Sequence, residues 1–149
     1  MKRAFFAVLC FAFIISCNQS ANKTDSDELA DHQTAGAIEL SLNNGSKWKV
    51  DLITNHNVVN LKTIADNFRI RPFPSMNDYQ ILSGDLQNGL NTMIQECKMA
   101  GPNHEALQHW LNPIIQETSQ LKNATDTSAG RTIFKSIDKQ LDNYHTYFE

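Results

Sequence analysis

From about residue 53 to the C-terminus, apolar residues recur at steps of three and four, the spacing that puts them on one face of an α-helix. Val58, Leu61, Ala65 and Phe68 form the first such stripe, broadened by Val59 and Ile64, and predict a helix over roughly 53–69. Arg71-Pro72-Phe73-Pro74 cannot continue it, because each proline disfavours the helical conformation of the residue before it. Ser75, with Asp78 three residues on, offers a carboxylate variant of the capping box for a second helix over about 76–99. That helix carries Tyr79, Leu82, Leu86, Leu90, Met93 and Cys97, and Gly101-Pro102 is expected to end it. Asn103 is the predicted cap of a third helix marked by Leu107, Trp110, Leu111, Ile114, Thr118 and Leu121. Pro113 should either kink this helix or restart it with Asn112 as cap. Asp126, or a neighbouring Thr or Ser, opens a fourth helix, with Ile133, Phe134, Ile137, Leu141, Tyr144 and Phe148 along it to the C-terminus.

Only before these helices does the period fall to two. Residues 37–42 and 47–50 alternate around Asn43-Asn44-Gly45-Ser46, which reads as a short β-hairpin closed by an Asn-Gly turn. A lone hairpin is marginal in water, so it should lie on the helices, with Trp48 as its contact. The fold predicted is therefore mainly α: an antiparallel four-helix bundle preceded by a short β-hairpin, over residues 37–149.

Residues 18–36 have few large apolar groups and read as a tether. Upstream, Lys2 and Arg3 precede the apolar run 4–15, a stretch too short to span a bilayer but of the right length for a signal peptide over residues 1–16. At its end, Ile14-Ile15-Ser16-Cys17 resembles the lipobox of bacterial lipoproteins, with an aliphatic residue at −3, a small one at −1 and then the acylated cysteine. Cys17 is thus the expected lipidation site and the route of contact with the membrane. Stable anchoring follows from two or more acyl chains, at about 0.8 kcal/mol per buried methylene. The address this implies is the cell envelope, on the outer membrane facing the periplasm.

The chain carries 13 Lys+Arg against 16 Asp+Glu; loss of Lys2 and Arg3 with the signal leaves 11 against 16, a net of −5. That balance argues against nucleic acid as a partner and against a polybasic hold on anionic lipid. Of three cysteines, Cys10 lies in the signal and Cys17 takes lipid, so Cys97 stands as a solitary thiol that must be buried, ligated or paired with another chain.

Reactive side chains are densest from Cys97 to His104. Thiolate, thioether and imidazole suit Cu(I), so Cys97, Met99 and His104 form a candidate copper site at the turn between the second and third helices, with Asn103 and Glu105 behind it. Against ligation, Met93 and Cys97 lie four apart on a face already lined by leucines, where a buried thiol is the simpler outcome. His109 sits about 140° round the helix from His104 and cannot join the same site. Haem held by His145 and Met76 is a weaker alternative, and without Cys-x-x-Cys-His it would not be covalently attached. No catalytic motif is present, so no enzyme is expected; Asp138 and Asp142, four apart, read as a solvated helix face. Trp48, Trp110, Tyr144, Tyr147 and Phe148 are expected mostly in the core.

The run Leu42-Asn43-Asn44-Gly45-Ser46-Lys47-Trp48-Lys49-Val50, and the stretch from Cys97-Lys98-Met99 through Gly101, His104, Leu107, Trp110 and Leu111, resemble a family of small uncharacterised lipoproteins of Bacteroidota. The resemblance covers most of the domain and implies a helical lipoprotein domain with no established activity. Together these readings predict a membrane-anchored binding or interaction module with an envelope protein as partner. The alternative is a copper-handling protein.

Overall fold

Asp51 ends an extended approach and starts the first helix, its carboxylate accepting the Thr54 N–H at 2.7 Å. From there the computed structural model, which describes residues 40–149, is mainly helical. The predicted signal peptide, Cys17, the tether and residues 37–39 of the predicted hairpin lie outside the described residues. The helices are α1 (Leu52–Arg69), α2 (Met76–Glu96), α3 (Gly101–Lys122), α4 (Thr127–Asp142) and a single turn, α5 (Tyr144–Tyr147). α1 packs on α2, α2 on α3 and α3 on α4, and α4 closes back against α1. No strand forms among the described residues.

The capping box predicted at Ser75 is present: the Asp78 N–H donates to the Ser75 hydroxyl and the Ser75 N–H donates to the Asp78 carboxylate at 2.8 Å. The Ser75 hydroxyl, its backbone N–H and Arg71 together hold the Asp78 carboxyl below the usual carboxylate range. Asp126 caps α4, accepting from both Ser128 and Ala129 N–H at 2.9 Å.

Three boundaries differ from the expected ones. α2 stops at Glu96, with Cys97 extended beyond it, and Gly101-Pro102 open α3 rather than end α2; Ala100, not Asn103, precedes the first turn. Gly101 takes φ +68°, a left-handed backbone angle suited to glycine, and Pro102 stands where a helix has no use for its missing N–H. α3 then runs unbroken through Pro113, so Asn112 caps nothing. Third, α4 does not reach the C-terminus: after Asn143 and α5 the backbone becomes extended at Phe148.

That last change explains what becomes of the hairpin. Its turn forms as predicted: Asn43 and Ser46 exchange backbone hydrogen bonds at 2.9 and 3.0 Å, and Asn44 and Gly45 both have positive φ. The following arm, however, pairs with the C-terminus in parallel. Trp48 N–H donates to the Tyr147 carbonyl at 2.7 Å, Glu149 N–H to the Trp48 carbonyl at 3.0 Å, and Val50 N–H to the Glu149 carbonyl at 3.0 Å. This seats Phe148 in the core against Trp110 and Tyr144. The expected core aromatics Trp110, Tyr144 and Phe148 are buried, while Trp48 and Tyr147 are half-buried.

Polar side chains tie the helices at chosen points. The Tyr144 hydroxyl donates to Asn55 Oδ1 at 2.7 Å, and burial, helped by the Asp51 charge, raises its pKa well above the ordinary phenol value so that it stays a donor. Asn57 donates to Glu96 at 2.8 Å, and Ser83 to the Thr118 carbonyl at 2.9 Å. Asp138 and Asp142 are not merely solvated: they answer Arg69 and Lys62 across the α1–α4 seam. The Lys62 ammonium holds the Asp142 carboxyl below the usual range.

Candidate functional site

The link after α2 brings only part of the predicted copper set together. Cys97 is half-buried at the end of α2, its N–H still donating to the Met93 carbonyl at 3.0 Å. His104, half-buried in the first turn of α3, lines the same cavity of about 190 Å³ as Cys97, among Met93, Leu107 and Leu111. Met99 turns elsewhere: its sulfur accepts the buried Thr54 hydroxyl at 3.5 Å, on the α1 side. His109 borders a different hollow beside Trp48, as its angle on the helix required. Among the described residues no cluster of three or more His, Cys, Asp or Glu side chains is placed to hold one ion. The arrangement offers one thiol and one imidazole on an apolar wall. Cys17 lies outside the described residues.

A second site was not foreseen. Between the α1–α2 link and α4 runs a groove of about 380 Å³ whose apolar side is made by Phe68, Tyr79 and Phe134. These rings pack on one another, Phe68 lying 5.1 Å from Tyr79 and 4.9 Å, edge-on, from Phe134. Phe73 stands at its border 98% exposed, with φ +47° between Pro72 and Pro74. A bulky side chain at positive φ is strained, and here it holds an aromatic ring in water rather than in a core.

Charge is unevenly settled around this groove. Arg69 donates to the Asp138 carboxylate through Nε at 2.9 Å and through Nη2, and it also meets Asp66 at 2.8 Å and Asp142 at 3.5 Å. Its pKa is raised chiefly by the hydrogen bond to Asp138. Arg71 pairs with Asp78 and lies 5.9 Å over the Phe68 ring. Arg131 and Lys135 also line the groove, are exposed, and form no ion pair among the described residues. The groove thus joins an aromatic wall to two unanswered cations.

The run Arg71-Pro72-Phe73-Pro74, read only as a helix break, is the signal that could have shown it. A phenylalanine in a link that no helix can absorb has no core position waiting for it. The larger hollow between α2 and α3, about 510 Å³, is lined by Gln80, Gln87, Asn88, Asn123 and other polar groups that water satisfies equally well. No family model, curated protein or solved structure matches this chain.

Proposed function

We propose that this protein is a lipid-anchored binding module of the cell envelope, held on the outer membrane through Cys17 and acting without catalysis. In this reading its helices form an antiparallel four-helix bundle, because links of four to six residues between successive long helices favour antiparallel neighbours, and the hairpin turn packs the N-terminal approach onto it. The binding face is the Phe68–Tyr79–Phe134 groove. The observation that carries the reading is the combination at that groove of a strained, fully exposed Phe73 with two cations that have no ion-pair partner among the described residues. Backbone strain costs stability, and sites that bind are where such costs are kept.

Two measurements test it. Radiolabelled palmitate should enter the protein in cells and vanish in Cys17→Ser. In solution, a panel of small aromatic probes with anionic, neutral and cationic heads should shift the ring resonances of Phe68, Tyr79 and Phe134 before those of Trp110, Tyr144 or Phe148. Label persisting in Cys17→Ser removes the anchor, and shifts confined to other rings remove the groove.

A second reading, copper handling, is supported by the cavity shared by Cys97 and His104. It expects stoichiometric Cu(I) binding that is lost in Cys97→Ser and in His104→Ala, with Met99→Leu having the smaller effect because that sulfur is engaged with Thr54. Binding untouched by the first two substitutions ends this reading.

A further inference from the structure

We infer that the groove takes a small amphiphilic monocarboxylate, an apolar ring or short chain ending in one carboxylate. This inference rests on the reading of the groove as the binding site and adds the chemistry of its ligand. Size is compatible with a small molecule, since about 380 Å³ falls among ligand pockets, at roughly 300–1,000 Å³. An apolar body suits the lining, whose surface open to a ligand is chiefly Phe73 and the half-buried Pro74 lying over the buried Phe68, Tyr79 and Phe134, with few hydrogen bonds on offer. Phe73, already in water at the border, is covered further by any such body.

The head group follows from which charges are free. Arg69 and Arg71 line the groove but are answered by Asp138 and Asp78. Among the described residues Arg131 and Lys135 are not, and at i and i+4 on α4 they share one helix face, so that one anion in the groove can meet both. The chain as a whole is acidic, with a net charge of −3, so this pair is not part of a generally basic surface. Asp138 on the same lining is already paired with Arg69, so the two α4 cations set the head group. The planar guanidinium of Arg131 suits a carboxylate, which it can take with two parallel hydrogen bonds.

The test uses the full-length protein, isotopically labelled, titrated with 3-phenylpropanoate and with 3-phenylpropan-1-ol, which has the same ring without the charge. The carboxylate should bind at least about tenfold more tightly, the value of one charge-assisted contact, and shift the Phe68, Tyr79 and Phe134 rings. Arg131→Gln/Lys135→Gln should bring its affinity down to that of the alcohol, and Phe73→Ser should weaken both ligands alike. All three positions are exposed, so melting temperatures should stay at the wild-type value and separate lost binding from lost fold. Equal affinity for acid and alcohol overturns the inference. If the carboxylate leaves the rings unmoved while an acidic peptide or phosphatidylglycerol vesicles shift them, the ligand class is wrong and the groove still binds. If none of these probes moves the rings, ligand class and binding site fall together.

Discussion

Replacing Trp110 with alanine should cost about 3–5 kcal/mol, a large fraction of the 5–15 kcal/mol by which a domain of this size is stable. Trp110 is fully buried, and its indole N–H donates to the Gln140 carbonyl at 3.0 Å while the Gln140 amide returns a bond to the Trp110 carbonyl at 3.2 Å. This reciprocal pair fastens α3 to α4. The same ring meets Tyr144 at 5.0 Å and Phe148 at 6.1 Å, both edge-on, so it also carries the C-terminal turn and, through it, the backbone pairing with Trp48. Alanine removes the shared surface of three segments at once, and the cavity cannot collapse without moving a helix. Trp110→Phe keeps an aromatic body but loses the hydrogen bond and some volume, and should lie between. Urea unfolding measures both, and a loss under about 1 kcal/mol for Trp110→Ala would contradict this account of the core.

How much of this core the sequence displays depends on the range of the interaction. Leu61, Leu86, Leu90, Ile114 and Ile137 are all buried where their helical spacing put them, because a stripe is a local property that any partner surface must cover. The Asn-Gly turn and the Ser75–Asp78 box are local too, and both form. The pairing of Trp48 with Phe148 joins residues a hundred positions apart, and nothing in the spacing of either segment favours it over extension of the hairpin. Likewise Phe68, Tyr79 and Phe134 read as three separate core residues on three helices, and only their packing makes a wall. Cys97 and His104 were legible as neighbours across a turn; the departure of Met99 was not, because it depends on Thr54 of another helix.

Charges follow the same division. Asp138 and Asp142 four apart look like a wet helix face until α1 is laid beside them, when Lys62 and Arg69 make them cross-links. On the neighbouring stretch of α4, Arg131 and Lys135 look just as ordinary, yet among the described residues they are the cations lining this groove that no carboxylate answers. Free charge is therefore visible only by subtraction, after every other pair has been assigned.

Three glycines should separate by sign when changed to alanine, although their helices favour alanine equally, by about 1 kcal/mol. At Gly84 a methyl group meets nothing within 4 Å, so Gly84→Ala should gain about that 1 kcal/mol. At Gly89 it would meet Leu61 Cδ2 at 2.8 Å, the far end of a flexible side chain, and gain and strain should nearly cancel. At Gly130 it would meet Tyr79 Cγ and Cδ2, both at 2.9 Å, against the face of a ring that cannot retreat. Tyr79 is 1% exposed and backed by Phe68, which is itself held against Phe134. Overpacking of this kind costs about 1–3 kcal/mol, so Gly130→Ala should destabilise despite its better helix propensity, and chemical denaturation of the three variants reads the order directly. Because Tyr79 belongs to the groove, the same methyl group should also disturb binding there, whereas Gly84→Ala should stabilise the domain and leave the groove as it is. A stabilised Gly130→Ala would mean that Tyr79 has room to move, and then the aromatic wall is not the rigid surface on which the binding argument stands.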